Sequence, residues 1–178
     1  MSEAKQNKVI NIIFWVIFVF YLILMIDLLL TSKIGLESRS INFIPFKSIA
    51  EGINVYDGFR YRLIDVQVWG NVLIAIPAGI YVMFLSKKDS FLRALLTVFL
   101  LSLGIEIIQF IFKIGASDID DIILNCLGGV VGILIYYLLK KIFKTKEKTK
   151  RGITIISLCV GIPVLIITII LIIVNYVK

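Results

Sequence analysis

At 178 residues, 60% of them hydrophobic, and with a mean hydropathy of +1.02, the chain reads as one small membrane domain without room for a soluble second one. The net charge is +7, but lysines and arginines crowd into a few hydrophilic gaps, which suits lipid headgroups and leaves no basic surface for nucleic acid. There is no histidine, so the commonest general base and the commonest zinc ligand are excluded, and carboxylates become the acid–base candidates.

The predicted fold is all-α and polytopic, with about five transmembrane helices. Val9 to Leu30, preceded by Lys5 and Lys8, is the first apolar run and reads as a signal-anchor helix, with Asp27 near its far end. Thr31 to Asp65 is polar and broken by glycines and Pro45. Within it, Asn42-Phe-Ile-Pro-Phe46 is an apolar patch too short to span, and Ser48 to Tyr56 reads as an amphipathic turn or two in the interface. Val66 to Ser86 is the second span. Asn71, Ala75 and Gly79 recur on it every fourth residue, a small-residue face for close helix contact, and Pro77 is expected to kink it. Phe91 to Phe112 and Ile119 to Phe143 are the third and fourth spans. The latter carries Gly128-x-x-x-Gly132, a weak packing signal on its own. Thr145 to Arg151 is expected to be a basic linker, and Ile153 to Val177 an additional C-terminal span. Cys126 and Cys159 sit in apolar segments without CxxC spacing.

The unusual stretch lies between Ser102 and Gly132. On a helix Ser102, Glu106, Gln109 and Lys113 share one face, and Asp118, Asp121 and Asn125 share another on the next helix. Asp120 should point away from its neighbours, toward the headgroups or a nearby cation. Ionisable groups at membrane depth cost roughly 2.5–3.5 kcal/mol each on insertion scales, so by default they mark a site. The alternative is that they only glue helices together.

The most basic short connection runs from Lys140 to Arg151, and the positive-inside rule places it in the cytoplasm. The connection carrying Lys87, Lys88 and Arg93 then faces inward as well, as does the N-terminus, while the C-terminus faces outward. Glu106 falls roughly 22 Å from the inner start of its helix at 1.5 Å rise per residue. Asn71, Asp118, Asp121 and Asn125 come early in outside-to-inside helices and Asp27 late in the opposite sense. The expectation is an outward-facing acidic pocket near the outer headgroup boundary. A channel is disfavoured because the inner helix halves offer almost nothing polar.

Four motifs in this order resemble the VanZ-like family of bacterial membrane proteins. They are Asn42-Phe-Ile-Pro-Phe46, Asn71-x-x-x-x-x-Pro77-x-Gly79, Glu106-x-x-Gln109, and Asp118-x-x-Asp121-x-x-x-Asn125-x-x-Gly128, within residues 9 to 143. Many relatives carry an arginine just before the acidic run, where this chain has Gly115, Ala116 and Ser117. The resemblance implies a cell-envelope role linked to resistance to teicoplanin, a lipoglycopeptide. It also implies kinship with membrane enzymes that process lipid headgroups.

Two functions follow as expectations. In the first, the chain is an enzyme on a lipid or lipid-linked envelope precursor. Glu106 would shuttle a proton, Asp118 and Asp121 would activate a hydroxyl or hold a divalent cation such as Mg2+, and Asn71, Gln109 and Asn125 would orient the headgroup. In the second, the same carboxylates bind cationic or hydroxyl groups of a lipid or lipoglycopeptide without chemistry, and Phe43, Ile44 and Phe46 take the acyl tail, with Asn42 and Pro45 also on the ligand side. A third, a small transporter, is the weakest. The expected partners are membrane lipids or lipid-linked precursors and a second copy of the chain in a homodimer.

Overall fold

The structure, a computed structural model, describes residues 3–31, 41–56, 61–86, 88–112 and 117–176. Along the chain run α1 (Glu3–Thr31), β1 (Ile41–Asn42), α2 (Lys47–Glu51), β2 (Ile53–Tyr56) and β3 (Tyr61–Ile64). They are followed by α3 (Val66–Leu85), α4 (Phe91–Phe112), β4 (Ser117–Asp118), α5 (Ile119–Phe143) and α6 (Lys146–Tyr176). The all-α class holds. Four helices, within Lys5–Asp27, Gln67–Leu85, Phe91–Phe112 and Ile119–Phe143, are long and apolar enough to cross a membrane, as in a multi-pass membrane protein.

Burial runs opposite to that of a water-soluble protein. Leu73, Leu92, Leu96, Phe110, Leu127 and Leu138 are all exposed, whereas Asn71, Ser102, Glu106, Gln109, Asp121 and Asn125 are buried. Lipid is as apolar as leucine, so leucine gains nothing by turning inward, whereas a polar group in hydrocarbon costs several kcal/mol and turns to its own kind.

Two compact units make up the chain, Tyr21–Tyr137 and the pair Met1–Phe20 with Leu138–Lys178. In the first, α3 and α5 meet along their small residues. A Cβ added at Gly128 would overlap the carbonyl oxygen of Val72, one at Gly132 that of Ile76, and one at Gly79 that of Gly129. The small face of α3 and the GxxxG of α5 are thus the two halves of one contact, close enough for backbone to touch backbone. Helix α3 continues through Pro77, and the carbonyl of Ile74 accepts a 2.7 Å hydrogen bond from the Tyr21 hydroxyl. At the other end of α3, Tyr136 Oη donates to Asp89 Oδ1 (3.2 Å) and Tyr137 Oη to the Asp89 carbonyl (3.2 Å), tying the α3–α4 connection to α5.

The polar segment after α1 departs from expectation. Helix is confined to Lys47–Glu51, and the chain then forms an antiparallel hairpin pairing Ile53 with Ile64 and Val55 with Arg62. The reason is visible in the residues, for β-branched and aromatic positions flank Asp57-Gly58, a strong hairpin signal that amphipathicity alone overlooks. A backbone bond from Asp65 N to the Gly52 carbonyl (2.7 Å) closes the hairpin, and Asp65 caps α3 by accepting from Gln67 N (2.9 Å).

In the second unit the basic stretch from Thr145 is not a linker, because α6 already begins at Lys146. Thr145 Oγ1 accepts from Lys148 N (3.3 Å), an N-cap, and Glu147 lies in the first turn where the helix dipole favours it. Lys150 Nζ donates to Asn11 Oδ1 (2.9 Å) and sits 5.3 Å above the Phe14 ring, joining α6 to the start of α1.

Candidate functional site

The site grows from a pairing that spans most of the first unit. Strand β1 runs parallel to β4, with Ile41 opposite Ser117 and Asn42 opposite Asp118. This brings the Asn42–Phe46 turn against the start of α5. Asp118 is the cap of that helix, its Oδ1 accepting from Asp120 N (2.9 Å). The same oxygen accepts from Asn42 Nδ2 (2.9 Å), and Oδ2 accepts from the Ser48 hydroxyl. Asn42 also donates to Ser48 Oγ (2.9 Å) and accepts from Ile44 N (3.1 Å), which turns the chain.

Asp120 corrects the expectation made for it. It is fully buried and points at α2, where its carboxylate accepts from Phe46 N (2.6 Å) and Ile49 N (3.1 Å). It therefore caps a helix other than its own. Phe46, which has no side-chain cap to offer, sits at φ 66° to present its N–H. A bulky residue there costs roughly 1–2 kcal/mol, offset by the two charge-assisted bonds to Asp120.

Glu106 meets the other side of β4. Its Oε2 accepts from Asp118 N (2.9 Å) and from Ser117 Oγ (3.0 Å), so α4 holds the start of α5 by main chain as well as side chain. Deeper, Asn71 Nδ2 donates to Asp121 Oδ1, linking α3 to α5, and Asn125 Nδ2 donates to Ser102 Oγ (2.9 Å), linking α5 to α4. Asn125 Oδ1 is buried with no hydrogen-bond partner among the described residues. Gln109 is buried on the same α4 face as Glu106.

Beside Glu106 lies a cavity of about 270 Å³. Leu103, Ile107 and Phe110 of α4, Ile119 and Ile122 of α5, and Phe43 of the turn form its apolar walls, and Glu106, Ser117 and Asp118 its polar end. Of the residues assigned to acid–base work, Glu106 and Asp118 line this cavity. Asp121 does not, being turned to Asn71. Pro45 and Phe46 are exposed on the turn, outside the lining.

Asp118 and Asp121, expected to share a divalent cation, turn to different partners in this structure. Both oxygens of Asp118 accept from protein donors, whereas Asp121 accepts from Asn71 on α3. No group of three or more Asp, Glu, Cys or His among the described residues could hold a metal.

The family model VanZ/LLP1 matches residues 9–140, a region that holds the Asn42 turn, α3, α4 and most of α5. The chain belongs to the VanZ/LLP1 family. It is 39% identical over 116 residues to Protein VanZ from Enterococcus faecium, a match covering 65% of this chain and 64% of that protein. The chain thus spans slightly under two thirds of the length of that curated relative. No solved structure matches it significantly.

All the polar partners above fall inside the VanZ/LLP1 region, and the whole of α6 falls outside it. Gly115 and Ala116, just before the acidic run, lie outside the described residues, while Ser117 bonds Glu106. Lys113, placed by periodicity on the Glu106 face, also lies outside them. Ser48 and Asp120 were not among the expected site residues. Asp120 could have been found from the Asp118-x-Asp120-Asp121 run, since three acids at a helix start exceed what one cap needs.

Proposed function

We propose that this chain engages a lipid or lipid-linked envelope precursor through its headgroup, at the Glu106 end of the cavity between α4 and α5. The observation that carries the reading is a carboxylate pair, Glu106 and Asp118, at the end of an otherwise apolar cavity whose lip is Phe43, 69% exposed. An amphiphile has the same division, with its chain against Leu103, Ile107 and Ile122 and its polar group at Glu106. Glu106 is the group placed for proton exchange with a headgroup. Asp118, with both oxygens taken by protein donors, positions the site. The cavity faces outward, with the N-terminus cytoplasmic and the C-terminus, after a fifth crossing by α6, outside. The basic residues of the connections support that sense. The family's link to teicoplanin fits a site at the outer surface.

A second reading rests on the hydrogen bonds themselves. Asp118, Asp120 and Glu106 all accept from protein donors, so they could serve only as staples that fix the Asn42 turn to α5. Expression of the chain in a teicoplanin-susceptible Gram-positive host separates the two. The site reading expects the inhibitory concentration to rise, and to fall back by at least about fourfold with Ile122→Trp, which fills the cavity without touching a polar partner. Full resistance in a stably expressed Ile122→Trp variant favours the staple.

A further inference from the structure

We infer that the corner between α5 and α6 binds an anionic phospholipid, with its phosphate on Lys141, Lys144, Lys148 and Arg151 and a chain along Leu138 and Ile142. The corner belongs to the unit that holds α6 and the start of α1, so it stands or falls independently of the Glu106 site. Between Lys140 and Arg151 seven of twelve residues are basic, and Glu147 alone is acidic. Lys141, Lys144, Lys148 and Arg151 are all exposed. Everything after residue 140 lies beyond the VanZ/LLP1 region, so the family assignment does not bring this surface with it.

The basic stretch is a folded corner and not a solvated tail. Lys144 N donates to the Lys140 carbonyl (2.8 Å) and Thr145 N to that of Phe143 (2.8 Å), so α5 ends and α6 begins within two residues. Lys144 takes a left-handed conformation, φ 67°, at a place that usually falls to glycine. Thr149 and Ile153 are buried on one face of α6, and a Cβ added at Gly152 would overlap the Phe143 ring. Lys148, Arg151 and Ile155 follow at i, i+3 and i+7 on another face, all exposed. On α5, Leu138 and Ile142 are exposed beside Lys141. Each helix therefore sets cations directly next to exposed apolar side chains, as an anionic lipid sets its phosphate next to its tail. Lysine and arginine side chains are donors only, so the partner must bring acceptors and negative charge. Their bonds to phosphate are charge-assisted, and each basic side chain at a membrane surface raises association with anionic lipid by about fivefold. A zwitterionic headgroup adds a cation beside its phosphate, which the corner repels.

The test is lipid retention by the full chain in neutral detergent, read by native mass spectrometry from an equimolar mixture of dioleoyl phosphatidylglycerol, phosphatidylcholine and phosphatidylethanolamine. Phosphatidylglycerol should be retained about tenfold or more over both zwitterionic lipids, which two cations at about fivefold each suffice to supply. Lys144→Gln/Lys148→Gln should bring that ratio to about two or less. Lys88→Gln/Arg93→Gln, which removes the same charge from exposed positions around the α3–α4 connection, should leave it unchanged. So should Ile122→Trp, which fills the Glu106 cavity. Equal retention of the three lipids, or equal loss in both double variants, overturns the inference and leaves the Glu106 site standing. Loss in Ile122→Trp alone overturns it too, because the anionic lipid then sits in the cavity. Indifference to lipid charge together with capture of a poly-glutamate peptide overturns it in favour of an acidic protein partner. Should the Lys144→Gln/Lys148→Gln variant fail to fold, Arg151→Gln alone should still lower the ratio by about fivefold, and an unchanged ratio there overturns the corner.

Discussion

Asp120 shows how a single side chain can be misjudged from its helical angle. Angle alone turns it away from the Asp118–Asp121 face, which it is, yet away from that face means into α2 and not into solvent or headgroups. Removing it leaves the buried-side N–H groups of Phe46 and Ile49 without their acceptor, at about 1–3 kcal/mol in total beyond the lost bonds. Asp120→Ala should therefore lower the thermal midpoint in detergent about as much as Asp118→Ala does. Unfolding followed by circular dichroism checks this, and a midpoint unchanged by Asp120→Ala speaks against the cap. The polar residues Asn71, Glu106, Gln109, Asp121 and Asn125 were legible because membrane depth makes each one conspicuous. Their partners were not. Whether Glu106 meets a side chain or the Asp118 main chain depends on how β4 ends, and periodicity says nothing about that.

At the scale of elements, the small-residue face of α3 and the GxxxG of α5 could each be read from spacing, and the structure makes them one interface. Backbone contact leaves no space for a Cβ there, so Gly132→Val should destabilise by roughly 1–3 kcal/mol or prevent folding. Gly104, on α4, has nothing within 4 Å of an added Cβ. Gly104→Ala should be neutral or stabilise by up to about 1 kcal/mol, since it removes a flexible residue from a helix interior. Thermal midpoints of the two variants, compared in one detergent, test the contrast. The β1–β4 pair escaped the sequence reading for a physical reason. Two-residue strands have no period to detect, and Asn42 and Asp118 are distant along the chain. The hairpin was missed differently, since Val55-Tyr56-Asp57-Gly58 carried its signal in plain view.

For the whole molecule, the helix content and the four apolar helices followed from hydropathy, which lipid enforces on long segments. The extent of α6 did not, because a lysine-rich stretch reads as a loop unless its Thr145 cap is noticed. The proposed orientation makes a direct prediction. In a background with Cys126 and Cys159 replaced, an impermeant maleimide should label Leu63→Cys, on the exposed edge of the hairpin, and miss Lys146→Cys in intact cells. The reverse pattern turns the site toward the cytoplasm.

The central claim, that the cavity beside Glu106 receives lipid, is tested most directly by photo-crosslinking in liposomes with a phospholipid that carries a diazirine near the start of its acyl chain. Adducts mapped by mass spectrometry should concentrate on Leu103, Ile107, Phe110 and Ile122, and should leave those positions in Ile122→Trp. Adducts spread evenly over the exposed apolar faces of α1 and α4, with no enrichment at the cavity and no response to the filled variant, would contradict it.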